Sequence, residues 1–169
     1  MVKHTLFLWF FLASFFGYSQ GHITLDGAND VLLSQDTLLP QGDVTFECFL
    51  QICDSTNSQT MPLISTTEMQ WQIKPDTNGQ SAILIHHANF TRTVFLNPFH
   101  QNQWTHVAFT YREIDSTFRV FFDGLFVDTY QRKLKRSPGF AIGDSSRSFQ
   151  GKIDELRVSR GVLYALQAN

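Results

Sequence analysis

The residues able to do chemistry in this chain are its acids, histidines and serines, and their spacing decides how far each group goes. Glu113-Ile114-Asp115 and Asp154-Glu155 each bring two acids together. Paired carboxyl groups about 5–5.5 Å apart are the machinery of retaining glycoside hydrolysis. Adjacent residues of a strand point to opposite faces, so Asp154 and Glu155 are not expected to act on one bond. Glu113 and Asp115 fall between two apolar runs, where a hairpin connection accounts for them. Among the histidines 86, 87, 100 and 106, no spacing sets three ligands on one face, and the neighbours His86 and His87 diverge, so no zinc site is expected. Calcium wants clustered oxygen ligands. Asp26, Asp30 and Asp144 are the candidates for it, all in turn-rich segments where aspartate also serves the turn itself. The serine-rich loops at 55–58 and 144–148 have no base nearby in sequence, and no glycine loop is built to cradle phosphate.

The elements that would position these groups read as strands throughout. Val44, Phe46, Cys48, Leu50 and Ile52 alternate with Thr45, Glu47, Phe49 and Gln51, the period of a strand with one face in a core. Met69, Trp71 and Ile73 face one way and Gln70, Gln72 and Lys74 the other, so Trp71 is expected to be packed and the polar triplet exposed. Further short strands are expected at 23–25, 31–33, 61–65, 82–86, 92–96, 104–111, 118–122, 125–129 and 152–159, with Asp123-Gly124 as a tight hairpin turn. No stretch sustains a helical period, so the fold class is all-β, an antiparallel two-sheet sandwich.

Residues 1–19 have the composition of a signal peptide: Lys3 and His4 precede an apolar run from Leu6 to Phe16, and Gly17 and Ser19 suit a cleavage site. The run is shorter than the roughly 20 apolar residues of a membrane span, so no span is expected after cleavage. Residues 20–169 then make one domain, large enough for a proper core. It is expected to be secreted or displayed at the cell surface, or periplasmic in a bacterium. Export favours disulfides, but Cys48 and Cys53 lie five residues apart, about 17 Å along an extended strand, against a limit near 7 Å for a bridge. Cys48 is expected in the core, and pairing would require the strand to end near Leu50 and double back. The chain has a formal net charge of −2. Its one basic cluster, Arg132, Lys133, Lys135 and Arg136, reads as a solvated loop, so no nucleic-acid partner is expected. Asn89-Phe90-Thr91 is a glycosylation sequon, meaningful if the source is eukaryotic.

Four motifs in order carry a family resemblance: Leu25-Asp26-Gly27-Ala28-Asn29-Asp30; Trp104-Thr105-His106-Val107-Ala108 through Tyr111; Phe118 through Phe122-Asp123-Gly124; and Gly151-Lys152-Ile153-Asp154-Glu155-Leu156-Arg157-Val158. Together these resemble laminin-G-like, or concanavalin A-like lectin/glucanase, jelly-roll domains across essentially the whole of residues 20–169. The resemblance implies a jelly-roll sandwich, structural roles for His106 and for the Asp154-Glu155 pair with Arg157 as ion-pair partner, and calcium binding in several relatives. Relatives often continue beyond the final strand, so Gly161–Tyr164 is expected to be loosely held. Glucanases of this fold look like E-I-D-x-x-E. Here the residue three after Asp115 is Phe118, and the second carboxylate of that pattern is missing.

These readings converge on a secreted, non-catalytic binding or adhesion module that needs no cofactor unless calcium is one. Its expected ligand is a carbohydrate, by resemblance, or an extracellular protein. Gln70, Gln72 and Lys74 on the exposed sheet face, with Asp144 in a loop, are the candidate ligand contacts. A glycan-degrading hydrolase and a structural assembly component are the rival readings.

Overall fold

The computed structural model describes residues 21–28, 30–33, 41–53, 60–66, 69–75, 81–87, 89–96, 102–135, 139–143 and 150–164. The signal-like segment, both serine-rich loops, Asp144, His100 and Arg136 lie outside the described residues.

The described strands are β1 (Ile23–Asp26), β2 (Leu32–Leu33), β3 (Val44–Ile52), β4 (Met61–Ser65), β5 (Met69–Pro75), β6 (Ser81–His87), β7 (Phe90–Leu96), β8 (Trp104–Arg112), β9 (Thr117–Phe122), β10 (Leu125–Gln131), β11 (Ala141–Ile142) and β12 (Gln150–Arg160). They form two six-stranded sheets, in the orders β1-β12-β3-β8-β9-β10 and β2-β11-β4-β5-β6-β7. Every pairing is antiparallel. This is the expected two-sheet jelly-roll sandwich. The meanders β8-β9-β10 and β4-β5-β6-β7 are local pairings, whereas β12 lies between β1 and β3 and joins the two ends of the domain.

Period-2 alternation decides which side of each strand enters the sandwich. On β3, Val44, Phe46, Cys48, Leu50 and Ile52 are 0–3% exposed. From the second sheet, Trp71 is wholly buried; it stacks on Phe109 of the first sheet at 3.8 Å between ring centres and meets Phe46 edge-on at 5.4 Å. Burying a ring system of about 200 Å² is worth about 5 kcal/mol at 25 cal/mol per Å², so this contact is a main attachment between the layers. His87 also points inward, edge-on to Phe118, while His86 points out.

Turns close where the sequence places them. Asp123 and Gly124 both have positive φ, 48° and 77°, the pair of left-handed residues that a two-residue hairpin matched to strand twist requires. The Asp123 carboxylate accepts the His106 N–H at 2.9 Å, which fixes the hairpin to the start of β8. At the open edge of the sandwich, Arg92 on β7 donates from two nitrogens to Asp128 on β10, both at 2.8 Å, so the last strands of the two sheets are clamped together. The register of β10 slips between Phe126 and Asp128, a bulge beside that clamp.

Two expectations are corrected and one open condition is answered. β3 runs unbroken to Ile52, so the doubling back that a bridge would require does not occur, and both cysteines are free. Cys48 is a core residue as expected, its thiol pushed up to about 12 by burial, with the neighbouring Glu47 charge adding to the effect. The β12 register slips between Asp154 and Arg157, and Glu155 takes a φ of 48°, so plain alternation does not apply to the acid pair there. Finally, 161–164 is held down rather than loose. The Gly161 N–H donates to the Asp43 carbonyl at 2.8 Å, and Thr45 Oγ1 donates to the Gly161 carbonyl at 2.8 Å and accepts the Leu163 N–H at 3.1 Å.

Candidate functional site

The outward side of the second sheet carries the polar residues that alternation expels from the core. Gln70, Gln72 and Lys74 of β5 were all expected to be exposed; Lys74 is, whereas Gln70 and Gln72 are half-buried. Across the ladder, Gln70 faces His86 of β6, and His86 faces Thr91 of β7. The side chains join into a row. Gln72 Nε2 donates to Gln70 Oε1 at 2.6 Å, Gln72 Oε1 lies 3.1 Å from His86 Nε2, and His86 Nδ1 lies 3.1 Å from Thr91 Oγ1. A carbonyl oxygen only accepts, so His86 Nε2 is the donor to Gln72 Oε1, while the Thr91 hydroxyl is able to donate or accept at Nδ1. Each amide has two N–H donors and two oxygen lone pairs, more than the row consumes. His86 and Thr91 were not among the expected contacts. Their signal was the i-to-j register of two hairpins, which a single strand's pattern does not contain.

The outward side of the first sheet differs in kind. Glu47 points out from β3, yet it is only 7% exposed, because the segment after β12 crosses over it. The Tyr164 hydroxyl donates to Glu47 Oε2, His106 Nε2 lies 3.3 Å from the same oxygen, and Arg157 Nη1 lies 3.3 Å from Oε1. Burial, then the hydrogen bond to Glu47 and its charge, push the Tyr164 phenol up to about 12. The acid that Arg157 meets is therefore Glu47, where Asp154 or Glu155 was expected. His106, expected to be structural, does sit in this network, with its ring 5.0 Å from Phe49 and 5.7 Å from Tyr164. Glu47, Phe49, His106, Glu155, Arg157 and Tyr164 line a half-open pocket of about 270 Å³. Exposed aromatic surface collects on this same side: Trp104 is 40% and Phe49 37% exposed.

The other acids are occupied. Asp115 is bound by Arg112 within the β8–β9 turn, and that hydrogen bond holds its carboxyl down at about 2, with the Thr117 amide and hydroxyl also accommodating the charge. Glu113 opens the same turn, its N–H donating to Asp43 Oδ1 at 2.8 Å. Both are the connection that the sequence suggested. Asp26 Oδ1 accepts the Ala28 N–H at 2.8 Å, and Asp30 Oδ2 accepts the Asp26 N–H at 2.6 Å, so each spends a carboxylate oxygen on turn amides. Among the described residues, no three His, Cys, Asp or Glu side chains are grouped to hold a metal ion. Among the described residues no helix is long and apolar enough to cross a membrane either, a statement that does not touch β-barrels.

A profile described as the concanavalin A-like lectin/glucanases superfamily matches residues 25–168. No curated protein matches the chain. Among solved structures, the CBM40 of a Ruminococcus gnavus IT-sialidase bound to α2,3 sialyllactose is similar at a TM-score of 0.61 and 11% identity, over 85% of this chain and 92% of that one. Domain 4 of a GH43 extracellular arabinanase from Geobacillus stearothermophilus, in complex with arabinotriose, gives 0.60 and 17%, over 82% and 69%. A heptameric SAP-like pentraxin from Limulus polyphemus gives 0.56 and 13%, over 80% and 67%. At these identities the likeness is one of fold.

Proposed function

The chain belongs to the concanavalin A-like lectin/glucanases superfamily, and from that premise we propose that it is an exported, non-catalytic carbohydrate-binding module. Its sugar face is the outward side of the second sheet. The observation that carries this reading is the hydrogen-bonded row Gln70, Gln72, His86 and Thr91, with Lys74 beside it. Sugars present closely spaced hydroxyls that donate and accept at once, and a rigid row of amide, imidazole and hydroxyl groups answers them without reorganising. Asp144, outside the described residues, is proposed as a further contact on sequence grounds alone. Two of the similar structures hold oligosaccharides by their own descriptions, which favours a sugar over an extracellular protein as ligand.

The test is a glycan array probed with residues 20–169, followed by titration of any hit with Gln72→Ala and His86→Ala. One lost hydrogen bond is worth about 0.5–1.5 kcal/mol, or about 2- to 12-fold in affinity. Silence across the array sinks the sugar reading in favour of a protein ligand. Binding requires no cofactor on this reading. If EDTA abolishes binding and calcium restores it, the ligand face belongs instead at the Asp26, Asp30 and Asp144 turns. A hydrolase gains no support from the acid pair, since Asp115 is committed to Arg112. Laminarin or lichenan hydrolysis that disappeared in Glu113→Gln or Asp115→Asn would overturn the non-catalytic assignment.

A further inference from the structure

We propose that the pocket on the outward side of the first sheet is a second binding site, and that it takes a small organic cation, an ammonium head carried on a ligand. The inference does not rest on the sugar reading, because it concerns the opposite side of the sandwich and different residues.

The walls of the pocket are rings. Phe49, His106 and Tyr164 stand around a volume of about 270 Å³, with His106 centred between the other two at 5.0 Å and 5.7 Å. The face of an aromatic ring attracts a cation through its quadrupole, most strongly where water is excluded. The charges in the pocket point the same way. Glu47 and Glu155 contribute two carboxylates against the guanidinium of Arg157 and the imidazole of His106, which adds a positive charge only when protonated. Glu47 is a buried charge whose field solvent screens poorly, and its Oε1 accepts no hydrogen bond even though Arg157 lies 3.3 Å away. That guanidinium satisfies the charge without satisfying the lone pair, and with its side chain 60% exposed it is free to swing out. Arg157 thus stands where a ligand's cation would stand. An anion is disfavoured by both acids. A neutral apolar group would leave Glu155 at the rim with nothing to answer.

The backbone supports the arrangement. Glu155 holds a left-handed φ of 48° at the β12 bulge, a conformation that costs energy in a non-glycine residue and collects at binding sites. The bulge is what turns Glu155 into the pocket rim.

The experiment uses tetramethylammonium as probe and tert-butyl alcohol as its neutral counterpart of similar shape, each titrated into residues 20–169 and followed by NMR at the Phe49, His106 and Tyr164 rings. The expected result is saturable shifts with the cation and none with the alcohol. Glu47→Gln, which keeps the shape and an acceptor for Tyr164, should weaken binding at least fivefold, and Arg157→Gln should strengthen it by removing the internal competitor. Should Glu47→Gln fail to fold, Glu155→Gln at the rim takes its place, with a weakening of about twofold to threefold expected. Equal shifts from cation and alcohol, or an affinity for the cation that the glutamate substitution leaves unchanged, would overturn the proposal.

Discussion

The two outward faces of this sandwich are built by the same alternation and end in opposite conditions. On the second sheet, Gln70, Gln72, His86 and Thr91 meet solvent as a row that carries no acid and satisfies itself laterally. On the first, Thr45 and Glu47 point outward and are nevertheless buried, because 161–164 lies across them. The difference shows that a strand pattern sets which way a side chain points. What covers it is decided elsewhere in the chain. An acid under such a cover becomes a structural attachment and a source of field, whereas an amide left outside remains a surface group.

The contrast can be broken in order of expected effect. Trp71→Ala strikes the layer both faces share and should cost about 3–5 kcal/mol in urea unfolding. A much smaller loss would show that the sheets are joined by other contacts. Glu47→Ala removes the acceptor that holds Tyr164 and the partner of Arg157, and should cost about 1–3 kcal/mol. The corresponding cut on the other face, Gln72→Ala, should cost about 0.5 kcal/mol or less. Equal losses from these two would dissolve the distinction between covered and open faces. A smaller effect is a titration. Tyr164 is raised to about 12, so the unfolded chain, ionising near pH 10, releases this proton first. The stability from that bond is complete below pH 10 and is lost as the pH climbs through about 12. Ultraviolet titration should find Tyr164 titrating late beside the buried Tyr130, which burial also raises, and Glu47→Gln should move only the Tyr164 phenol back toward the ordinary value. At the acid end, Asp115 is lowered to about 2 by Arg112. Its contribution is present above the ordinary aspartate range and lost as the pH falls through about 2. Carboxyl NMR should show that midpoint in the wild type and an ordinary one in Arg112→Ala.

Most of the fold was legible from residues. The alternation from Val44 to Ile52 gave a strand with the observed bounds, and the short apolar run from Met61 to Ser65 was also read at its observed bounds, although its first four residues are all buried rather than alternating. The polar face followed directly from Gln70, Gln72 and Lys74. His86 and Thr91 escaped because a row across three strands depends on register, and register is a property of pairs. The pocket was less legible still. Glu47 sat on the solvent side of its own strand's pattern, and its burial comes from residues more than a hundred positions away. Asp154-Glu155 misled by the opposite route. Alternation was applied to a stretch where a bulge interrupts it, and a bulge in β12 has no glycine to announce it.

The Arg92–Asp128 clamp also bears on how the protein behaves when crowded. β7 and β10 are edge strands, and an open edge invites pairing with a strand from another molecule. β10 shows exposed Leu125, Phe126 and Val127 there, a sequence that would recruit such a partner if the edge were straight. The bulge at Phe126 and Asp128 breaks the line of free amides after a few residues, and the aspartate at the break is already held by the arginine of the other sheet. An incoming strand would have to separate that pair and cross the irregularity to add more than a short ladder, so the clamp that closes the sandwich also guards it against growing into a larger sheet.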